Sequence, residues 1–425
     1  MQKTDVLIVG AGPTGLVLAL WLQAQGVSVR IIDKTSAPGT TSRAMVVHAR
    51  TLELYRQLGM ADAVAAAGHP SRVVNMWARG KRRAQIDMRD FGGDITPYPY
   101  LLIFPQDHHE SFLCDQLAAR GLTIERNTEL LDAKDEGDQV TATLRGPDGK
   151  TQTCTTRFMV GADGAASTVR KGLGGKFKGG TYRSLLYVAD VEVAQDMFNG
   201  NVHLSFEETD FLLVFPYAAH IHSPAGGQGM NTGIGDAINL AWKLAAVVNG
   251  RGNDALLESY HAERAAFART LIKTTDQAFN LASRKGSVFG FMRTYVVPNV
   301  AKLAFGLASA RAAMFRAISQ VAITYSDGPL GWARQGKSKA VTACRSCIWT
   351  RVTILVRSLT SSGRYMFTAS RRMRCEHGVR TAMCRCMFLA GTPPARLRGW
   401  NGTRPIWCDQ TPMWAARRPK AIRRC

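Results

Sequence analysis

The sequence predicts an α/β protein built around a three-layer, Rossmann-like domain, and three observations indicate this fold class. The first 33 residues read as a strand, a helix and a second strand, with a glycine cluster at the first turn. Several strand-like runs follow between Leu122 and Gly161, with Gly146-Pro-Asp-Gly149 as a hairpin turn. Two long helical patterns, Met230 to Val248 and Asp254 to Ser283, come later in the chain.

The first part of the chain is predicted to alternate short strands and helices. Apolar, β-branched runs mark the strands, and apolar residues three or four positions apart mark the helices. The predicted elements are, in order, the strand Thr4 to Val9, the helix Pro13 to Gln25, the strand Val29 to Asp33, the helix Thr51 to Leu58, the strand Tyr98 to Pro105, the helix His108 to Arg120, a meander of the strands Leu122 to Glu125, Gln139 to Arg145 and Gln152 to Arg157, and the strand Phe158 to Gly161.

A second, antiparallel sheet is predicted to begin near Leu185 and to stop after three strands. These strands are Leu185 to Val193, Asn201 to Phe206 and Phe211 to Phe215. The chain then passes directly into the segment before the Met230 helix.

Export and membrane insertion are not expected. The chain starts on a strand-like run with no basic and apolar leader, so a cytoplasmic location is predicted. The apolar stretch Val288 to Ile323 is interrupted by four basic residues, which indicates an amphipathic helix pair rather than a transmembrane segment. Contact with a membrane surface is the alternative for this stretch.

The net charge of +22 is concentrated near the C-terminus. Residues 337–425 hold 19 Lys and Arg against Glu376 and Asp409, whereas the other 336 residues carry a net charge of only +5. Seven of the nine cysteines also lie in this tail. The main part therefore has the charge of an ordinary soluble enzyme, and no nucleic-acid partner is expected for it.

A glycine fingerprint follows the first predicted strand and opens the first helix. It consists of Gly10, Gly12 and Gly15, and Asp33 ends the next strand. In this context the first glycine permits a tight turn, the second lets the backbone approach a pyrophosphate, and the third allows close helix packing. Asp33 would accept hydrogen bonds from ribose hydroxyls. The fingerprint predicts a dinucleotide site but does not choose between NAD and FAD.

Further motifs resemble the FAD-dependent aromatic hydroxylases of the para-hydroxybenzoate hydroxylase type, which are group A flavoprotein monooxygenases, and particularly their phenol and polyketide hydroxylase branch. The resemblance covers residues 1 to about 330. The motifs that carry it are Ser42-Arg43-Ala44, Val47-His48-Ala-Arg50-Thr-Leu-Glu-Leu-Tyr55, Gln106 after an apolar strand, Val160-Gly-Ala-Asp163-Gly164-Ala-Ala-Ser-Thr-Val-Arg170 and the run His220 to Trp242.

The resemblance implies a set of cofactor-binding residues along the length of FAD. The ADP half would be bound by Gly10, Gly12, Gly15 and Asp33. Arg43 would lie near the pyrophosphate and ribityl chain, and Gln106 would contact the ribityl hydroxyls. The other predicted cofactor-binding residues in this half of the chain are Pro13, Lys34, Asp163 and Gly164. The segment of Asp163 is also linked to transient NAD(P)H docking in this family. The isoalloxazine ring would lie against Pro224, Gly226, Gly227 and Gly229, with the N–H groups of Met230 and Asn231 near its pyrimidine carbonyls.

The implied function is an FAD- and NAD(P)H-dependent monooxygenase for a small aromatic or polyketide-like substrate. NAD(P)H reduces the flavin, oxygen adds to it, and the resulting hydroperoxide gives one oxygen atom to the ring. No protein nucleophile and no metal ligand is predicted, and for His108, His109, His220 and His222 a structural or surface role is favoured over proton relay. A flavin-binding remnant without full activity, or another FAD-dependent oxidoreductase such as a dehydrogenase or halogenase, is the alternative.

The chain departs from the family pattern after the second sheet. Pro216-Tyr217 stands where the family has a Gly-Asp pair, and the further strands expected there are missing, which predicts an internal deletion. The predicted domains are residues 1–180, the first part of the FAD-binding domain; 181–217, a truncated substrate-domain sheet; 218–330, the rest of the FAD-binding domain with C-terminal helices; and 331–425, a disordered or out-of-frame tail.

The tail allows three interpretations. Cys344-x-x-Cys347 and Cys384-x-Cys386 suggest zinc, but the spacing between the pairs does not match a common finger. Its Arg and Trp residues suggest nucleic acid. Translation with a two-base offset instead permits Leu-Val-Arg-Pro-Asp-x-x-Val across residues 406–415, which resembles the family's terminal strand. A frameshift between about Gly331 and Ala340 is therefore the preferred interpretation.

Overall fold

A computed structural model describes residues 4–40, 44–90, 95–175, 199–208, 210–216, 228–283, 286–323 and 325, and the short segments 353–358, 365–371, 384–389 and 414–416. The chain divides into two compact units, Met1–Ala340 with Asp409–Cys425, and Val341–Cys408. In the second unit, the strands β14 (Thr353–Ser358), β15 (Tyr365–Arg371) and β16 (Cys384–Leu389) form an antiparallel sheet in the order β14-β15-β16.

The strands of the first unit form three sheets. They are β1 (Thr4–Val9), β2 (Val29–Ile32), β3 (Val46–Val47), β4 (His69–Ser71), β5 (Val73–Ala78), β6 (Lys81–Asp87), β7 (Leu101–Ile103), β8 (Ile124–Glu125), β9 (Glu129–Asp135), β10 (Val140–Arg145), β11 (Thr151–Gly161), β12 (Val202–Phe206), β13 (Phe211–Val214) and β17 (Trp414–Ala416). The orders are β8-β2-β1-β11-β10-β9 with β17 against β11, then β13-β12-β5-β6, and β3-β7-β4.

The helices that the structure describes in the first unit include the predicted ones and two short ones, Ala61–Ala67 and Thr168–Gly172, that were not predicted. They are α1 (Pro13–Ala24), α2 (Ala49–Arg56), α3 (Ala61–Ala67), α4 (Gln106–Ala118), α5 (Thr168–Gly172), α6 (Gln228–Val248), α7 (Ala255–Ser283), α8 (Ser287–Phe291), α9 (Val297–Ala304) and α10 (Ala308–Ile318), with a short 3-10 turn at Met88–Asp90 and a π turn at Met292–Val296. None of the helices that the structure describes is long and apolar enough to cross a bilayer.

The main core lies around β1, whose residues Val6, Leu7 and Ile8 are fully buried. β1 runs parallel to both β2 and β11, and a parallel strand covered on both faces needs a continuous apolar run. One face packs in a cluster with α1, α4 and α6. On the other face, Leu7 and Ile32 cluster with residues of β10, so the meander forms the third layer. The predicted three-layer α/β fold is confirmed.

The meander differs from the prediction in its first strand. Ile124–Glu125 pairs in parallel with β2, whereas the meander begins with Glu129–Asp135. Leu130 is the buried side chain of that strand, and its neighbours Asp132 and Lys134 are polar or charged. The strand therefore lacks the apolar alternation that would identify it. The strands predicted as Gln152 to Arg157 and Phe158 to Gly161 form one strand, β11.

The second sheet is mixed rather than antiparallel, because β12 runs parallel to β5. β12 and β13 were predicted, but residues 73–87, predicted to belong to the first domain, supply the other two strands as a hairpin. The sheet is therefore not confined to residues 181–217. The hairpin turns at Arg79 and Gly80, both with positive φ, as a two-residue hairpin turn requires. The strand predicted at Leu185 to Val193 lies outside the described residues.

Candidate cofactor site

The glycine loop connects β1 to α1 beside the end of β11. Gly10 has φ +107°, and a Cβ there would lie 2.5 Å from the carbonyl oxygen of Ala162. A Cβ on Gly15 would lie 2.0 Å from the carbonyl oxygen of Gly10, which accounts for the predicted packing glycine. At Gly12, in contrast, a Cβ would meet no atom of the described residues within 4 Å. The loop thus packs tightly at its first and third glycines and is open at its second.

The start of α1 carries no side-chain cap. Gly12 is its N-cap residue and Pro13 is its first residue. The first N–H groups of a helix have no partner within the helix, and together with the helix dipole they favour an anion. The open space at Gly12 and this uncapped start fit a pyrophosphate.

Asp33 lies directly beside the loop. Its Oδ2 accepts the Ala11 N–H at 2.6 Å, and its Oδ1 accepts the N–H and the hydroxyl of Thr35, each at 2.8 Å. These bonds hold the carboxylate at the end of β2, next to the glycine loop, where a ribose would lie beside a bound pyrophosphate. Lys34, which follows it, is exposed.

The Asp163-Gly164 motif forms the other side of the loop, because Ala162 contacts Gly10. The Asp163 carboxylate accepts the hydroxyl of Ser167 at 2.6 Å and the N–H of Thr168 at 2.6 Å. Asp163 therefore holds the start of α5. Gly164 follows with φ +74°, a backbone conformation that favours glycine.

Gln106, at the first position of α4, is oriented by a residue that sequence reasoning missed. Its Nε2 donates to Oε1 of Glu110 at 2.7 Å, and Oε2 of Glu110 accepts the Gly39 N–H at 3.2 Å. Glu110 is buried, at 6% exposure. The available signal was an acid four residues after Gln106, on the same face of the helix.

The start of α6 is fixed by the side chain of Asn231, which is 1% exposed. Its Oδ1 accepts the His48 N–H at 2.9 Å and the Thr51 hydroxyl at 2.8 Å, and its Nδ2 donates to the Val46 carbonyl at 2.7 Å. Sequence reasoning assigned Asn231 only a backbone N–H. Met230 is buried, and Gly229 is exposed, with no atom of the described part of the chain within 4 Å of a Cβ placed there. The predicted residues Arg43, Pro224, Gly226 and Gly227 lie outside the described residues.

Two buried histidines flank this region. Burial lowers the pKa of His48 to about 4 and that of His109 to about 3, so both are neutral near pH 7. Nε2 of His109 lies 2.9 Å from the hydroxyl of Tyr55, and its ring packs against Phe104. These contacts indicate a structural role for His109. His108 is exposed, whereas His220 and His222 lie outside the described residues.

A buried ion pair joins α6 to α7. Nζ of Lys243 lies 2.6 Å from Oε2 of Glu263, which also accepts from Nδ2 of Asn239 at 2.9 Å. Burial lowers the pKa of Lys243 to about 8, although Glu263 acts in the opposite direction. Within the described part of the chain, no group of histidine, cysteine and acidic side chains could hold a metal ion.

The family model described as "FAD binding domain" matches residues 3–217 and 209–275. The chain is 35% identical over 354 residues to 6-methylpretetramide 4-monooxygenase of Streptomyces rimosus, covering 67% of this chain and 63% of that protein. It is 31% identical over 351 residues to rifampicin monooxygenase of Streptomyces venezuelae, covering 66% of this chain and 72% of the relative.

Solved structures show the same fold. OxyS anhydrotetracycline hydroxylase from Streptomyces rimosus superposes with a TM-score of 0.60 at 25% identity, covering 76% of this chain and 77% of that chain. The p-nitrophenol 4-monooxygenase PnpA from Pseudomonas putida DLL-E4 has a TM-score of 0.67 at 20% identity, covering 75% of this chain and 99% of that chain.

The alignment to the first relative includes positions that have no residue in this chain. This chain spans less than two thirds of that relative's length. The alignment has 354 positions, but 67% of 425 residues is only about 285, so about 70 positions have no residue here.

The family match covers more than half of the chain and includes the glycine loop and the start of α6. The uncapped, open start of α1 fits a pyrophosphate, and the FAD prediction is confirmed at the level of the family. The chain belongs to the family of FAD-binding domains found in the flavin-dependent aromatic monooxygenases.

Proposed function

We propose that this chain binds FAD and acts as an NAD(P)H-dependent monooxygenase on an aromatic or polyketide-like ring. The observation that most directly supports this proposal is the glycine loop, which is open at Gly12 and has the Asp33 carboxylate beside it. Relatives named for the monooxygenation of 6-methylpretetramide and pentachlorophenol support the substrate class. Bound FAD would supply the redox chemistry that inserts one oxygen atom into an electron-rich ring.

The protein's own part is to bind, orient and exclude water. The N-terminus of α1 would hold the pyrophosphate and Asp33 the ribose, while Glu110 orients the Gln106 amide for the ribityl chain. The start of α6 would present N–H groups to the flavin ring, where they favour the negative charge of the reduced form. A cytoplasmic location is part of this proposal.

A flavin-binding protein with impaired catalysis is the second candidate. The family match consists of two segments that overlap at residues 209–217. In addition, about 70 positions of the alignment to the first relative have no residue in this chain. Pro216-Tyr217 stands at this junction. Since β13 ends just before it, the second sheet, and any substrate site on it, would be incomplete.

Purification of the full chain followed by NAD(P)H oxidation separates the candidates. Bound flavin, detected by its visible absorbance, with oxidation stimulated by a phenolic substrate supports the monooxygenase. Bound flavin without stimulation supports the impaired protein. Protein that binds no flavin, even when FAD is added in excess, contradicts both.

A further inference from the structure

The helices α1 and α6 are in close contact at Thr14 and Gly233. A Cβ on Gly233 would lie 2.4 Å from Oγ1 of Thr14 and 3.7 Å from its Cβ. Thr14 is the second residue of α1, inside the glycine loop, and Gly233 lies within the first two turns of α6. The contact therefore joins the starts of two helices, not their middles.

Asn231 anchors the same part of α6 in a different direction. Its side-chain oxygen accepts two hydrogen bonds from residues 46–51 and its side-chain nitrogen donates one to them, at 2.7–2.9 Å. Buried hydrogen bonds of this kind are costly to break, because the abandoned groups cannot reach water. The absent Cβ of Gly233 sets how closely α6 approaches α1, and the Asn231 amide fixes α6 against residues 46–51.

We infer that Gly233 and Asn231 are positioning residues that set the spacing between the pyrophosphate end and the flavin end of the cofactor site. This inference rests on the proposed binding of FAD. The α1 end binds the ADP half of FAD, whereas the α6 end meets only the flavin half. A change in the α1–α6 spacing therefore weakens the binding of FAD but not the binding of ADP. This difference distinguishes a positioning role from a general loss of stability.

The first test adds a methyl group at the helix contact. We expect Gly233→Ala to raise the Kd of FAD at least about tenfold, a loss of about 1.4 kcal/mol, and to leave the Kd of ADP within about twofold. Both are measured by calorimetric titration of the flavin-free protein.

The matched rescue uses Thr14, because only its Oγ1 is too close. In Gly233→Ala with Thr14→Ala, the nearest remaining contact is the Cβ of residue 14 at 3.7 Å, an ordinary van der Waals distance, so FAD affinity should return to within about threefold of Thr14→Ala alone. Thr14→Val keeps both γ atoms and the restricted side-chain rotation of threonine, and should not rescue.

The second test concerns the Asn231 anchor and is milder. Thr51→Val removes one hydroxyl donor to Oδ1 of Asn231 and should lower FAD affinity several-fold while sparing ADP, whereas Thr51→Ser keeps the donor and should behave as the wild type. If Gly233→Ala does not fold, the comparison of Thr51→Val with Thr51→Ser still tests the inference. The absorption spectrum of bound FAD gives a second readout, since a shifted flavin ring changes its surroundings.

Equal losses of FAD and ADP affinity in the variants, or no loss of either, overturn the inference. A wild-type chain that binds ADP but not FAD, or neither, contradicts the proposed function instead. The two failures are therefore distinguishable in one set of titrations.

Discussion

Gly10 and Gly12 belong to one loop but differ in what an added methyl group would do. Gly10 has φ +107° and faces the Ala162 carbonyl, whereas Gly12 has φ −76° and faces open space. Gly10→Ala should therefore lower the free energy of unfolding by about 2–4 kcal/mol, through strain and overlap. Gly12→Ala should change it by less than about 0.5 kcal/mol but weaken FAD about tenfold or more, because its methyl group occupies cofactor space. Urea unfolding of the flavin-free variants measures the stability, and titration with FAD measures the affinity. Equal losses of unfolding free energy in the two variants would contradict the different roles given to Gly10 and Gly12.

The buried histidines make the protein sensitive to acid. In the folded state the pKa of His48 is lowered to about 4 and that of His109 to about 3, whereas in the unfolded chain both take protons near pH 6.5. Their contribution to stability is therefore complete above pH 6.5. It is lost as the pH falls towards 4, by about 1.4 kcal/mol per pH unit for each histidine.

Urea unfolding between pH 6.5 and 5 tests this expectation. His109→Gln should reduce the slope of stability against pH by about 1.4 kcal/mol per unit, because one titrating group is removed. An unchanged slope in His109→Gln would show that His109 is protonated in the folded protein.

Residues whose role is local were predictable from sequence, and residues whose role depends on distant partners were not. The predicted packing role of Gly15 is set within the strand–turn–helix unit and is seen in the structure, whereas the FAD contacts of the loop and Asp33 remain predictions. Asn231 bonds residues more than 180 positions away, and Glu110 bonds Gly39, 71 positions away. No periodicity or motif reports such partners.

The pair of α6 and α7 depends on Lys243 and Glu263, which are almost fully buried. Lys243→Met would leave the Glu263 carboxylate buried and hydrogen-bonded to Asn239 without its ion-pair partner, so we expect the free energy of unfolding to fall by about 3–5 kcal/mol. Lys243→Met with Glu263→Met removes both charges and should be less destabilising than the single variant. Lys273→Met, an exposed change on α7, is the control. Additive effects in chemical denaturation would exclude the coupling.

The β5–β6 hairpin shows why some strands escaped prediction. β6 begins with Lys81-Arg-Arg83, all exposed, and Ala84 and Ile86, both buried, are its only apolar residues. β5 gains its second neighbour from β12, far along the chain. The helices were easier because each carries its own periodicity, and the ends of α1 and α4 differ from the predicted ends by no more than two residues.

Two features of the chain as a whole need separate explanations. About 70 aligned positions are missing relative to the first relative, and residues 337–425 have a composition unlike the rest. We propose an in-frame deletion at about codon 217 and a frameshift near codon 335.

Sequencing of the encoding DNA tests this proposal. We expect a second reading frame that stays open from about codon 335 and encodes Leu-Val-Arg-Pro-Asp-x-x-Val near codons 406–415. Stop codons throughout that frame would contradict the frameshift and leave the basic tail as a genuine segment.

The parallel pairing of β12 with β5 also governs the order of events during synthesis. Val74 pairs with Val202, so one edge of β5 cannot be completed until 128 further residues have been made. At about 5–20 residues per second, that interval is roughly 6–26 s. Meanwhile the unpaired edge beside Val73-Val74 can pair with another chain. Yield of the protein should therefore depend on chaperone supply and on low temperature during expression more than on the strength of the final fold.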